Sequence, residues 1–204
     1  MTLYALKPRF QALLRPLVGR LAASGVTANQ VTVAAASGSV ALGVFLGWFL
    51  GWDDDRRLFL LVPVWLFLRM ALNAVDGMLA REFGQQSRLG FYLNELGDVI
   101  SDAALVAPFA LVAPFAPSWV LVVVVLAAVS ELAGVLGAAA GGSRRYDGPL
   151  GKSDRAFVFG ALGLWVAIGP VPGWLAWIMP LLAVLLVVTI VNRVRTGLAE
   201  AGAR

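Results

Sequence analysis

The run Asn73-Ala74-Val75-Asp76-Gly77-Met78-Leu79-Ala80-Arg81, followed at set intervals by Gly90, Asn94 and Asp98, places carboxylates and carboxamides inside segments that otherwise read as lipid-buried helix. Ionisable groups in such a setting are costly and mark functional sites. At about 100° per residue, Arg69, Asn73, Asp76 and Ala80 share one stripe of a helix, and Gly90, Asn94, Asp98 and Asp102 share one stripe of the next. The connection between them is short, so the two stripes are expected to face each other as an antiparallel hairpin. Clustered oxygen ligands repel one another unless a cation offsets them. Carboxylate and amide oxygens suit a hard divalent cation, Mg2+ or Mn2+, bridging to a phosphate-bearing substrate. Gly77, Ala80 and Gly90 leave room for close approach, and Arg81 offers a charge-assisted fork to phosphate. Taken singly, each residue has a packing explanation: Asn73 and Asn94 as helix glue, Gly and Ala as close contacts, Arg81 as a snorkelling side chain. The combined spacing favours the chemical reading.

The elements that hold these stripes follow from composition. The 204 residues are 60% hydrophobic and 14% charged, with mean hydropathy +0.83, which is too apolar for a soluble domain and indicates an all-α integral membrane protein. Cysteine and histidine are absent, which removes disulfides, thiol nucleophiles, the usual zinc sites and imidazole acid/base chemistry. A general base must then be a carboxylate or an unusual lysine. The net charge of +4 and pI near 10.1 fit basic loops on anionic lipid better than a nucleic-acid footprint.

Six apolar segments, near 31–52, 58–80, 89–113, 118–140, 155–170 and 173–192, approach the roughly 20 residues that cross a hydrocarbon core. The last two are divided by Gly169-Pro170-Val171-Pro172-Gly173, a turn cluster. Lys7, Arg9, Arg15 and Arg20 before the first span, Arg81 and Arg88 after the second, Arg144, Arg145, Lys152 and Arg155 after the fourth, and Arg193, Arg195 and Arg204 in the tail place both termini in the cytoplasm; the alternate loops hold only Arg56 and Arg57. No cleavable signal peptide is visible, since residues 1–25 are basic and broken by Pro8 and Pro16. Residues 1–28, with Leu3, Tyr4, Leu6, Phe10, Leu13, Leu14, Leu17 and Val18 among basic groups, suit an interfacial amphipathic helix ahead of a 31–192 bundle, all in one domain over 1–204. The alternative is a frayed basic tail.

The motif resembles the signature of the CDP-alcohol phosphotransferases (CDP-alcohol phosphatidyltransferases), D-x2-D-G-x2-A-R-x8-G-x3-D-x3-D, with Asp76, Gly77, Ala80, Arg81, Gly90 and Asp98 at matching positions. Gly25 to Thr32 is similar to the family's lead into its first helix, and the six-helix layout agrees. The resemblance implies transfer of a substituted phosphate from a CDP-linked lipid, with CDP-diacylglycerol the natural donor, to the hydroxyl of a small polar acceptor, releasing CMP. It implies a divalent metal, Mg2+ or Mn2+, and a homodimer, with Gly134, Gly137 and Ala138 of the fourth span available for close packing. Asp76 would ligate metal, Asp98 would be the base and could also touch metal, and Gly77, Ala80, Arg81 and Gly90 would line the CDP pocket. The setting implied is a bacterial inner membrane with the site facing the cytoplasm.

Two departures stand out. Asn73 and Asn94 occupy the first and third aspartate positions, so two negative charges are missing. The amide oxygens still ligate, more weakly. Glu95, Asp102 or Glu131 can compensate; Asp102 is on the correct stripe and is the best placed, whereas Glu131 can instead pair with Arg69. A one-turn slide, with Asp98 as ligand and Asp102 as base, breaks the Gly90 spacing. Arg144, Arg145, Lys152 and Arg155 are candidates for binding a phosphorylated or carboxylated acceptor such as glycerol phosphate or inositol phosphate, or else a positive loop on anionic lipid. Two other classes remain: a family member that binds a CDP-lipid without turning it over, and a six-helix transporter, against which stands the lack of an evident inverted repeat.

Overall fold

A computed structural model describes residues 3–52 and 55–202, with side chains from residue 10 onward. The expected roles of the Leu3, Tyr4, Leu6, Lys7 and Arg9 side chains and of Arg204 lie outside the described residues. The described chain is helical throughout: α1 (Leu3–Ala23), α2 (Ala28–Leu50), α3 (Leu61–Glu82), α4 (Arg88–Val106), α5 (Pro117–Ala139), α6 (Lys152–Ile168) and α7 (Ile178–Gly202). Short 3-10 turns at Arg56–Leu60, Ala107–Leu111 and Gly173–Trp177 join them.

Local chemistry sets the boundaries. Thr27 caps α2 through a reciprocal pair: its hydroxyl accepts from the Gln30 amide, and the Gln30 side chain accepts from the Thr27 amide. Gly25, at φ 80°, makes the left-handed turn out of α1. Ser87 caps α4 by accepting from the Gly90 amide at 2.9 Å. Pro117 starts α5, where its missing N–H costs nothing. Gln85 ties the α3–α4 loop to the start of α2 by accepting from the Ala28 amide at 2.7 Å.

Four helical segments are long and apolar enough to cross a membrane: Ala28–Leu50, Arg56–Glu82, Pro117–Ala139 and Gly173–Gly202. The expected third and fifth spans coincide with α4 and α6, which fall short for physical reasons. Arg88, Glu95, Asp98 and Asp102 lower the hydropathy of α4, and α6 is 17 residues long with Lys152, Asp154 and Arg155 in its first turn. The third span was expected to run on to 113, but α4 ends at Val106 and passes into a 3-10 turn containing Pro108. The last was expected to stop at 192, but α7 continues to Gly202 and carries Arg193 and Glu200 into the bundle.

Packing places α2 between α3 and α4, joins α5 to α7 and sets α6 against α3. This corrects the expected α3–α4 hairpin: their backbones hardly approach, because α2 separates them. Small residues on α2 make the arrangement fit. A Cβ on Gly43 would sit 2.2 Å from the Ala104 carbonyl oxygen, and one on Gly38 would meet the Trp65 ring. The main core joins Phe59, Phe109 and Phe159, with ring centroids 4.7 and 5.6 Å apart, to Leu46, Met179 and Leu186. A second cluster around Val18, Val75, Met78 and Leu79 seats α1 on α2 and α3, and Arg15 of α1 pairs with Glu82 at 3.0 Å. Gly134 and Gly137, expected to serve a dimer, are buried within the chain against the backbone at Arg145 and Ser143.

The Gly43 contact yields a test. Gly43→Ala forces α2 from α4 and is expected to destabilise by about 1–3 kcal/mol, whereas Gly47→Ala, with nothing within 4 Å of the added carbon, leaves the melting temperature in detergent unchanged. Equal melting of the two variants would refute the close packing.

Candidate active site

The ends of α2 (Ala28), α3 (Glu82), α4 (Arg88), α5 (Ala139) and α6 (Lys152) gather at one end of the bundle, and the polar side chains lie just inside it. Asp76 is buried on α3 and accepts a 2.7 Å hydrogen bond from the Thr32 hydroxyl of α2. Lys152 and Asp98 lie within electrostatic reach of it. Asp98 is buried on α4, with Arg69 of α3 on Oδ1 at 3.0 Å and Lys152 of α6 on Oδ2 at 2.5 Å. The side chains of α3 and α4 thus meet through a guanidinium, although their backbones do not.

Beyond Asp98 the charges alternate in a continuous network. Arg69 also holds Asp102 Oδ1 at 2.8 Å, and Arg155 takes Asp102 Oδ2 at 2.8 Å. Arg155 passes to Glu131 Oε1 at 2.8 Å, which also lies 3.4 Å from Arg193. Glu131 Oε2 receives Arg144 at 3.3 Å, and Arg144 reaches Glu95 at 2.5 Å in an ion pair too poorly aligned to be a hydrogen bond to that oxygen. Arg193 also donates to the Ser130 carbonyl and, at 3.4 Å, to the Asp147 carbonyl. Glu131 therefore pairs with Arg155, Arg193 and Arg144, and Arg69, its expected partner, is committed to α4. Unpaired, any of these buried charges would be costly; paired and hydrogen-bonded, they are tolerated.

The candidate acceptor residues divide. Arg155 and Lys152 point into the network and Arg144 closes it, but Arg145 turns aside to Asp147 at 2.8 Å and Glu200 at 2.8 Å. Hydrogen bonds from Arg145 and Thr196 hold the Asp147 carboxyl below its ordinary value. That stabilisation is present above the ordinary aspartate pKa of about 4 and is lost as pH falls through the lowered one. Arg81 lies exposed over Gly77, where a Cβ would meet its guanidinium at 2.7 Å, and Gly90 faces the Asn29 amide. Asn73 and Asn94 are half-buried on the same stripes as Asp76 and Asp98.

Sequence reasoning missed Thr32, Ser130 and the part played by Arg193. A lone hydroxyl in an apolar helix leaves no pattern, so Thr32 and Ser130 had no signal. Arg193, Gly197 and Glu200 do recur on one helical face, and Gly197 is buried; that periodicity was the available sign that α7 continues.

Among the described residues no three carboxylates converge as a metal cluster. The donor set expected from the sequence is two carboxylates, Asp76 and Asp98, with two carboxamides, Asn73 and Asn94. It is made entirely of oxygen, and Asp76 has no cation bonded to it. Such a set fits one hard divalent ion held less tightly than by four carboxylates.

The family model for CDP-alcohol phosphatidyltransferase matches residues 25–192. Inner membrane protein YnbA of Escherichia coli (strain K12) is 47% identical over 201 residues, spanning 97% of both chains. Among solved structures, phosphatidylinositol phosphate synthase (PgsA1) of Mycobacterium tuberculosis with CDP-DAG bound is 26% identical with a TM-score of 0.74, over 92% of this chain and 94% of that one. The same protein in complex with manganese and citrate gives the same identity and score, over 92% and 90%.

The network predicts unequal costs for removing its cations. Arg155→Met, which takes one buried cation from both Asp102 and Glu131, is expected to lose about 3–5 kcal/mol, read as a lower melting temperature by tryptophan fluorescence. Arg15→Met, at an exposed pair, is expected to change it little. Similar shifts in both would mean that the buried pairs carry no special weight.

Proposed function

Since the chain belongs to the CDP-alcohol phosphatidyltransferase family, we propose that it transfers a phosphatidyl group from CDP-diacylglycerol to the hydroxyl of a small polar acceptor, releasing CMP, in phospholipid synthesis. The observation that carries this reading is Asp98, a buried carboxylate fixed by Arg69 on one oxygen and met on the other by a flexible lysine that is 32% exposed. Oδ2 is the oxygen open to exchange. The acceptor hydroxyl displaces Lys152 from it, gives its proton to Asp98 and attacks the phosphatidyl phosphorus; the bond from that phosphorus to the CMP oxygen breaks, and CMP leaves as the anion. Arg69 keeps the carboxylate oriented throughout, and Asp102, locked between Arg69 and Arg155, serves that orientation.

Asp76, Asn73, Asn94 and Asp98 would hold Mg2+ or Mn2+, which supplies positive charge to the pyrophosphate when bound. Arg81 adds a fork to the same phosphates, while Gly77, Ala80 and Gly90 leave the pocket floor open to the nucleotide. An apolar groove lined by Val40, Val44, Phe45 and Trp48 of α2 and Ile100 of α4 lies deeper in the bundle than Thr32 and suits an acyl chain. In this reading α4 and α6 complete six spans, α1 rests at the interface, the site and both termini face the cytoplasm of a bacterial cell, and the protein works as a homodimer. Asn73 and Asn94 favour a second reading, a CDP-lipid-binding protein without turnover.

The test is metal-dependent CMP release from CDP-diacylglycerol by protein in lipid discs, offered a panel of acceptor alcohols. Asp98→Asn is expected to lower turnover by about 10²–10⁴-fold while CDP-lipid binding persists. Equal loss of binding would make Asp98 chiefly a metal ligand rather than the base, and binding without CMP release from the parent protein would establish the second reading.

A further inference from the structure

An acceptor that reaches Asp98 Oδ2 must enter among Lys152, Arg155 and Arg144, the cations from which a phosphorylated acceptor would have to draw its counter-charge. Their charges are already paired, and Arg155 has no donor to spare. The five N–H groups of Arg155 are matched by five contacts: two to Asp102 Oδ2 and one each to Glu131 Oε1, the Ser130 hydroxyl and the Leu150 carbonyl. Arg144 is divided between Glu95 and Glu131, and Tyr146 covers its face at 4.9 Å. Arg193, 1% exposed, is held by Glu131 and by two backbone carbonyls. Lys152 keeps spare donors and the buried Arg144 Nε lacks a hydrogen-bond partner, but the charge of each is met, Lys152 by Asp98 and Arg144 by Glu95 and Glu131.

Taking Arg69 with these four, five cations meet the five carboxylates of Asp76, Asp98, Asp102, Glu95 and Glu131. The charges of these ten side chains sum to zero, with Arg81 at the rim and an ion held at Asp76 left out of the sum. A phosphate arriving there would find one partly committed ammonium and several carboxylates at short range, so it would lose its water without gaining a counter-ion.

We infer that the acceptor alcohol carries no phosphate and no net negative charge: it is an uncharged polyol or a zwitterion, recognised by Lys152 and by the carboxylate oxygens that accept from its hydroxyls. This rests on the phosphatidyl-transfer reading above and runs against the expectation, drawn from the basic loop, of glycerol phosphate or inositol phosphate. Glu131 is the residue that sets the exclusion, because three arginines share it.

The experiment compares paired acceptors on the full chain in lipid discs: glycerol against glycerol 3-phosphate, and inositol against inositol 1-phosphate, with serine as the zwitterion, reading CMP release from CDP-diacylglycerol. An uncharged or zwitterionic acceptor is expected to exceed the phosphorylated ones in kcat/KM by at least about tenfold, a preference of about 1.4 kcal/mol. Equilibrium dialysis with labelled glycerol 3-phosphate supplies a second readout that needs no turnover. The parent protein is expected to retain it at least about tenfold more weakly than Glu131→Gln, in which the arginines lose their shared carboxylate. Preference for a phosphorylated acceptor, or tight retention of glycerol 3-phosphate by the parent protein, would overturn the inference and leave phosphatidyl transfer standing. Absence of CMP with every acceptor would instead remove the transfer reading, and the parent protein's dialysis would then decide the charge question alone. If Glu131→Gln fails to fold, the paired acceptors and that dialysis still give the answer.

Discussion

Charge pairing inside an apolar bundle is the constraint on which the rest of this structure depends. Arg69, Arg155 and Arg193 are almost fully buried, and each is tolerated only because carboxylates from other helices meet it. The pairs run from α3 to α4, from α6 to α4 and α5, and from α7 to α5, so they fix the relative height and rotation of those helices as well as their neutrality. The apolar core built on Phe59, Phe109 and Phe159 can hold helices together but is far less selective about register, because dispersion contacts are similar after a small slide. The ionic network is not tolerant in that way, and it delivers Asp98 to one place.

The stripes bearing Asp76 and Asp98 were legible in the sequence because i, i+4 spacing is a local property, and so was the membrane character of the chain. The order of helices in space was not. Asn73 to Asp102 reads as a hairpin, yet α2 intervenes, and its licence to do so is Gly43 and Gly38, small residues whose meaning depends on the Ala104 carbonyl and the Trp65 ring across the gap. Partner choice was equally hidden. Arg69 and Glu131 look like natural partners as two intramembrane charges of opposite sign, but only three-dimensional placement shows Arg69 given to Asp98 and Asp102 and Glu131 shared among three other arginines.

The basic loop before α6 illustrates how composition misleads about charge. Arg144, Arg145, Lys152 and Arg155 read as a cationic patch, since their acidic partners, Glu95, Glu131 and Glu200, come from distant parts of the chain. Folding converts the patch into a set of internal pairs. Glu200 adds a clasp at the outer edge by accepting from the Ser143 amide at 3.1 Å and the Ser143 hydroxyl at 2.7 Å, so the loop is held by the far end of α7. Arg81, over Gly77, remains exposed on that rim.

The distribution of partners along the chain also dictates an order of assembly. When α4 emerges from the ribosome, Asp98 and Asp102 can already find Arg69 on the preceding α3, so part of the charge that makes this helix too polar to enter lipid alone is offset on entry. Glu131 on α5 has no such predecessor committed to it; Arg144 reaches it first, then Arg155, and Arg193 only some 60 residues later. Until α7 arrives, Glu131 lacks Arg193, the last of its three arginines to be made, and the interior of the second half is incompletely paired.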